Sequence, residues 1–187
     1  MRRSTIVYVL LFALVLGAAY FFNNRAKTAD IAIETESVEP IEYLFTAADG
    51  LPARIHIESK AGEVVEVKRN AENAWVLILP EEAAADQGSV EAAAGQVSTL
   101  RILDRLPNLA PEAVGLDDPE YIMTFQFTSG VERIVSVGVF TPTQSGYYAR
   151  SEESKILIVS KSAVDSLLGL LTVPPYAATE TPLPATP

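Results

Sequence analysis

The sequence predicts an α+β domain, mainly an antiparallel β-sheet with two packed helices, preceded by one transmembrane helix. Three observations carry this prediction: an apolar run at the amino terminus, several segments whose apolar residues recur at every second position, and two segments in which they recur every three or four residues. Residues 41–173 are long enough for a single domain with one hydrophobic core.

The amino-terminal run covers residues 5–22 and follows two arginines. A helix rises about 1.5 Å per residue, so this run matches the ~30 Å hydrocarbon core of a bilayer. We expect a cytoplasmic tail at 1–4, a transmembrane helix at 5–22 and a stalk at 23–40. The alternative is a cleaved secretory signal. Aromatic residues extend the run past its only small-residue site, at 17–19, and this favours an uncleaved anchor.

Charge is distributed unevenly along the chain. All 24 acidic residues lie from Asp30 onward, whereas four of the 14 basic residues precede it. An acidic body repels phosphate backbones and anionic headgroups, so nucleic acid is not an expected partner. The very short amino-terminal tail favours a cytoplasmic start, which places the domain on the extracytoplasmic side of the cell membrane.

The first half of the domain begins with strands. Segments 54–58 and 64–68 alternate apolar and polar residues around a turn at 61–63, which predicts a β-hairpin. Residues 75–79 predict a third strand, which ends where a proline removes a backbone donor. Residues 41–45 are expected to add a strand ahead of these.

The period then changes to that of a helix. Apolar side chains recur at three- and four-residue spacing from Ser89 to Leu106, with polar side chains on the other side. Asp86 or Ser89 can cap the start, and Pro107 stops the helix. An amphipathic helix packed on the sheet is therefore expected over this whole segment.

The same order returns in the second half. Alternating or short apolar segments at 121–127, 135–139, 147–150 and 156–159 predict strands. Ser162, with Asp165 three residues later, resembles a capping box that opens a short helix. Strands followed by a helix occur twice, which predicts an internal strand-strand-strand-helix duplication.

The carboxyl-terminal segment 174–187 is rich in proline and threonine. Such a composition neither buries apolar area nor completes a ladder of backbone hydrogen bonds. This segment is predicted to be a disordered tail.

The composition does not favour an enzyme. His56 is the only histidine and Cys is absent, so neither thiolate chemistry nor Cys-ligated zinc is available. The adjacent acids Asp117 and Asp118 precede Pro119, which is typical of a turn rather than of a calcium loop. The glycines form neither a Walker loop nor a dinucleotide fingerprint. We therefore predict no catalytic residue, no metal ligand and no cofactor.

Aromatic side chains supply the one candidate surface. Trp75, Tyr147 and Tyr148 are candidates for a platform that stacks on a sugar or peptide, with Arg150 beside them. Aromatic residues at strand positions are more often part of a core. The sequence alone leaves both interpretations open.

Several short motifs occur in an order shared with a known family. They are Trp75 with Pro80, Ala85-Asp86, Gly115-Leu116-Asp117-Asp118-Pro119, Val137-Gly138 and Gly146-Tyr147-Tyr148-Ala149-Arg150. Over residues 74–168 the chain resembles the bacterial family catalogued as domain of unknown function 4340. The resemblance implies a single-span protein with an extracytoplasmic domain, associated in some members with auxiliary parts of ABC-type transporters. It implies no catalytic residues.

The leading function hypothesis is a non-enzymatic domain, anchored by its amino-terminal helix, that binds a partner protein in the bacterial cell envelope. It would be an accessory component of an ABC-type transport or surface-assembly complex. The alternative is a module of the envelope that binds a sugar or peptide. An envelope hydrolase that uses carboxylates is a third, less favoured hypothesis.

Overall fold

The computed structural model describes residues 40–151 and 155–178, together with Leu14, Leu16 and Tyr20. The described residues from Ile41 onward form one compact unit. The predicted tail at 1–4, most of the predicted transmembrane helix at 5–22 and the predicted stalk up to residue 39 lie outside the described residues. None of the helices in the described part of the chain combines the length and the hydropathy that a membrane crossing requires.

The described domain is built from ten strands and two α-helices, with one short 3₁₀ helix at Pro111–Val114. The strands are β1 (Glu42–Tyr43), β2 (Pro52–Ser59), β3 (Val64–Arg69), β4 (Trp75–Leu79), β5 (Ala83–Ala84), β6 (Arg101–Leu106), β7 (Tyr121–Phe127), β8 (Glu132–Phe140), β9 (Gly146–Ser151) and β10 (Ile156–Ser160). The helices are α1 (Gln87–Ser98) and α2 (Lys161–Thr172). The predicted α+β class, a mainly antiparallel sheet with two helices, is confirmed.

All ten strands join one sheet in the order β1-β6-β10-β9-β8-β7-β2-β3-β4-β5. Each neighbouring pair is antiparallel. The strands β2 to β5 form one meander that leads into α1, and β7 to β10 form a second that leads into α2. The two meanders meet where β2 pairs with β7, with Ile57 opposite Met123.

Both helices pack on the same face of the sheet and against each other. Alternation along β2 explains how: Ile55 and Ile57 are fully buried under the helices, while Arg54 and His56 point to the other face. The core continues through Phe125 on β7. The period-two pattern thus identifies the buried face correctly.

The segment between β6 and β7 covers one end of the second face of the sheet. Val114 and Leu116 of that segment pack on Ile156 and Tyr148 in a small separate cluster. Gly138 makes this close approach feasible, because a Cβ at that position would overlap the carbonyl oxygen of Val114. The strands β3, β2, β7 and β8 carry polar and charged side chains on the rest of this face.

The helix predicted from Ser89 to Leu106 is wrong in its second half. Helix α1 ends at Ser98, and residues 101–106 form β6, which pairs with β10. Spacing misled the prediction, because Leu103 continues the three-residue period yet is 41% exposed. Ile102 is buried between the neighbouring strands instead, so sheet pairing overrides the helical pattern.

The two predicted caps have different outcomes. Asp86 caps α1, because its carboxylate accepts the backbone N–H of Ser89 at 2.7 Å. The capping box predicted at Ser162 and Asp165 is wrong: Ser160 occupies the N-cap position of α2, without a side-chain hydrogen bond. Asp165 binds Tyr147 and Lys161 instead.

The predicted disordered tail requires a correction at its start. The segment 174–178 runs beside β5. The backbone N–H of Ala177 donates to the Ala84 carbonyl at 2.9 Å, and the backbone N–H of Asp86 donates to the Pro175 carbonyl at 2.8 Å. Tyr176 forms an antiparallel bridge with Ala85. Proline removes a donor, but its carbonyl still accepts, which is how a proline-rich segment joins a strand here. Residues 179–187 lie outside the described residues.

Candidate functional site

Trp75, the first predicted site residue, lies at the start of β4 beneath α1. Its ring is buried, and its indole N–H donates to the Glu91 carboxylate at 2.7 Å. The guanidinium of Arg69 lies over the ring, 4.2 Å from its centroid. These three side chains connect the sheet to α1, so the indole face is already occupied by protein.

Tyr147 also faces the helices. Its hydroxyl donates to the Asp165 carboxylate on α2 at 2.8 Å, and its ring lies 4.0 Å from that of Phe140. Burial raises the pKa of the Tyr147 phenol well above its usual range, and the Asp165 carboxylate raises it further. The hydroxyl therefore stays protonated as a structural donor.

Tyr148 and Arg150 lie on the opposite face of β9. Tyr148 packs on the small cluster around Leu116, and Arg150 donates to the Leu116 carbonyl at 3.3 Å. The structure therefore divides the four predicted residues two and two across the sheet. Trp75 and Tyr147 belong to the side under the helices, while Tyr148 and Arg150 share the other face, so the four do not form one platform.

His56 belongs to an ionic cluster on the polar face of the sheet. Glu66 is only 8% exposed and accepts two hydrogen bonds from Arg54, at 2.7 and 2.8 Å. His56 Nδ1 lies 2.9 Å from the same carboxylate. The Arg54 hydrogen bond lowers the pKa of Glu66, and the contact with His56 lowers it further against the opposing effect of burial. Within the described residues, no hydroxyl group bonds to His56 in the way a nucleophile would.

The arrangement of carboxylates in the described part of the domain bears on metal binding. In the described ranges, no group of three or more acidic, histidine or cysteine side chains is arranged to hold an ion. Asp118, one of the adjacent acids noted in the sequence, forms an ion pair with Lys60 at 2.6 Å. That carboxylate serves to join two loops.

A concave region of about 730 Å³ lies at the start of the domain. We call it the entry groove, and define it by Ile41, Tyr43, Phe45, Leu51 and Phe127, with polar groups from Glu42, Ser98 and Thr128 beside them. Its floor is the ring pair Phe45 and Phe127, whose centroids lie 5.1 Å apart. Its sides are exposed apolar residues: Ile41 is 50% exposed, Tyr43 42% and Leu51 65%.

A rigid turn holds one side of the entry groove. The Asp49 carboxylate accepts the backbone N–H of Thr46 at 2.8 Å and is paired with Arg133 at 3.1 Å. The hydrogen bond from the Thr46 backbone lowers the pKa of Asp49, and Arg133 lowers it further. The next residue, Gly50, has a φ of 87°, and the chain then pairs with β7 through Leu51 and Thr128 at 2.9 Å. Leu51 is therefore exposed on a fixed backbone.

The other side of the entry groove is strand β1. Ile41, Glu42 and Tyr43 all line the groove, whereas the partners of β1 on β6, Arg101 and Ile102, are not among its described lining residues. The groove thus lies along β1. The sequence predicted a strand at 41–45 but no binding surface there. The signal that could have indicated such a surface is the apolar pair Ile41 and Tyr43, followed shortly by Leu51.

No protein-family model, curated protein or solved structure matches this chain.

Proposed function

We propose that this chain is a single-span, membrane-anchored protein whose extracytoplasmic domain binds a partner protein through the entry groove. The observation that carries the proposal is the exposure of Ile41, Tyr43 and Leu51 above the Phe45–Phe127 floor. Scattered apolar residues are ordinary on a protein surface, but a contiguous apolar concavity is typical of an interaction site.

The polar face of the sheet is a less favourable contact surface than the entry groove. Arg54, His56 and Glu66 already satisfy one another there, so a partner would have to replace good contacts to use them. The groove offers apolar area whose burial is favourable at roughly 25 cal/mol per Å². Binding at the groove therefore costs less desolvation than binding on the charged face.

The anchor in this proposal comes from the sequence. The apolar run at 5–22 and the stalk at 23–40 precede Ile41, the first residue of the groove, without an intervening segment. Together with the resemblance to domain of unknown function 4340, this supports an accessory role in an ABC-type transport or surface-assembly complex. The strand-strand-strand-helix duplication expected from the sequence also belongs to this proposal, and it is supported by two meanders of four strands, each of which leads into a helix.

A second candidate function is the binding of a small apolar ligand or peptide. The volume of the groove, about 730 Å³, falls within the ~300–1,000 Å³ typical of ligand sites and favours this candidate. The binding of a sugar or peptide through Trp75, Tyr147 and Tyr148, expected from the sequence, loses support, because the Trp75 and Tyr147 side chains are engaged with the helices. A hydrolase remains the least supported, since no pair of carboxylates is singled out.

Site-directed photo-crosslinking in native membranes tests the proposed partner. A photoreactive residue replaces Leu51 in one variant and the exposed Lys68, on the polar face, in a matched control. We expect one discrete protein adduct from position 51 at native expression and none from position 68. Recovery of the chain alone from position 51, or the same adducts from both positions, would contradict the proposal.

The location of the domain requires its own test. Protease added to spheroplasts should cleave an epitope-tagged chain, whereas a cytoplasmic control protein stays intact. Protection of the domain, or recovery of the intact chain in the soluble fraction, would contradict the anchored, extracytoplasmic arrangement.

A further inference from the structure

We infer that the partner enters the groove as an extended strand that pairs with the outer edge of β1. This inference rests on the proposed function and specifies its mode, which is strand addition to the sheet. In such recognition the main-chain hydrogen bonds supply affinity, and pockets for alternate side chains supply specificity.

The two edge strands of the sheet differ in whether a further segment of the described chain pairs with them. At the β5 edge, the segment 174–178 completes the pairing through Ala84 and Ala85. At the other edge β1 is outermost, and within the described residues it has a strand neighbour on one side only. An unpaired edge presents backbone donors and acceptors to any extended chain that reaches it. Among the described residues, the β5 edge is thus paired by a further segment and the β1 edge is not.

The remainder of the open edge is blocked. β1 pairs with only two residues of β6, Arg101 and Ile102, so the rest of β6 extends beyond it. There the Arg105 backbone N–H is taken by the Asp104 carboxylate at 2.7 Å, and the Arg105 side chain binds Glu42. Charged groups on an edge strand discourage pairing. Pairing of an incoming strand with this part of β6 is therefore disfavoured.

The entry groove lies where side chains of an added strand would fall. Ile41, Glu42 and Tyr43 line it, together with Leu51 and Phe127. Side chains of a strand alternate between two faces, at about 3.3 Å per residue. A short extended segment that pairs with β1 would place every second side chain in the apolar groove.

The chemistry of the groove and of the chain defines the incoming segment. Its groove-facing residues are apolar, to match Tyr43 and Phe45, and the remainder are basic, because the chain from Asp30 onward is strongly acidic. A second copy of β1 is a poor occupant, since antiparallel pairing would bring two Glu42 side chains and two acidic bodies together. The occupant is thus a partner segment that alternates apolar and basic residues.

A pair of synthetic decapeptides tests this mode on the full chain in phosphatidylcholine nanodiscs. One alternates Val and Lys, and the other alternates Gly and Lys with the same charge. We expect the Val-Lys peptide to bind about tenfold more tightly by fluorescence anisotropy, with empty nanodiscs as background. Equal affinities would overturn the inference, because charge alone would then account for binding.

Two variants and one direct measurement locate the binding. Leu51→Asp and Tyr43→Pro should abolish the preference for the Val-Lys peptide, whereas Glu132→Gln on the polar face should leave it unchanged. Since Tyr43→Pro can disturb folding, hydrogen exchange supplies an independent readout: the bound peptide should slow amide exchange in segment 41–44 of the unmodified chain. Unchanged exchange in that segment would also overturn the inference.

The crosslinking experiment separates this inference from the proposed function. If position 51 captures a partner and the captured residues recur at every second position of one segment, strand addition is supported. If they recur every three or four residues, the partner binds as a helix and the inference fails while the proposed function stands. If position 51 captures no partner, the proposed function itself fails.

Discussion

The indole of Trp75 and the carboxylate of Glu91 join the sheet to the first helix through one 2.7 Å hydrogen bond. Arg69 completes the contact, because it donates to the same carboxylate at 2.7 Å and stacks on the indole ring. A buried indole needs a partner for its N–H, and a charged acceptor makes the stronger bond. The aromatic residue that the sequence offers as a ligand platform thus positions α1 instead.

Trp75→Phe should lower the free energy of unfolding by about 1–2 kcal/mol, because it removes the donor to a charged acceptor and some buried area. The Trp75 hydrogen bond lowers the pKa of Glu91, so its contribution is present above the ordinary carboxyl pKa and is lost as the pH falls through the lowered value. Urea unfolding at pH 7 and near pH 3 measures the difference. An effect that grew on acidification would contradict this assignment.

Glu66→Gln tests the ionic cluster on the polar face. The amide removes the negative charge and one of the two acceptor oxygens that Arg54 and His56 share, which should cost about 1–2 kcal/mol of unfolding free energy. Glu132→Gln is the matched control, because Glu132 is half exposed and lies 3.9 Å from Arg54, so its loss should change stability by less than about 0.5 kcal/mol.

The same pair of variants gives a pH signature. Arg54 lowers the pKa of Glu66, so the stabilisation is complete above the ordinary carboxyl pKa and disappears as the pH falls through the lowered one. The stability gap between the parent chain and Glu66→Gln should therefore close in acid. Equal stabilities of the two Gln variants at pH 7 would show that the Glu66 carboxylate stabilises the domain no more than the exposed Glu132 carboxylate does.

Gly138→Ala should disrupt the small cluster on the second face. A Cβ at this position would overlap the Val114 carbonyl, which is backbone and has little room to move. We expect a loss of about 1–3 kcal/mol and altered NMR shifts around Leu116. Gly95→Ala is the control, because nothing lies within 4 Å of its added Cβ on α1, and it should be neutral or stabilising by up to about 1 kcal/mol. Similar losses for both would argue against the close approach.

Phe125→Ala tests the buried face of β7. Phe125 is fully buried and lies 5.4 Å from the Phe45 ring, so its loss should cost about 3–5 kcal/mol, much of a small domain's stability. Thermal unfolding measures this. A melting temperature equal to that of the parent chain would place the residue outside the core.

The sheet was predictable because its signals are local. Ile55 and Ile57 alternate with polar residues, and this alternation alone identifies which face is buried. The strand at 101–106 was not predictable from the sequence. Its apolar residues fit a helical and a strand period equally, and only pairing with β10 decides between them. Length and composition carry no information on such distant pairing.

The candidate site was less predictable than the fold. Tyr147 and Tyr148 are adjacent in sequence, yet strand geometry necessarily sends them to opposite faces. The entry groove depends on contacts between β1, the turn at Asp49 and the end of β7, which lie far apart in the chain. A surface assembled from three separate segments leaves no motif to recognise.

The native size of the complex tests the central claim most directly. Full-length chain and Leu51→Asp, solubilised from membranes at native expression, are compared by blue native electrophoresis. Leu51 is 65% exposed, so the substitution should leave the melting temperature nearly unchanged. The account predicts that the parent chain migrates in a complex larger than the monomer and that Leu51→Asp migrates as a folded monomer. Identical migration of the two would contradict binding of a partner at the entry groove.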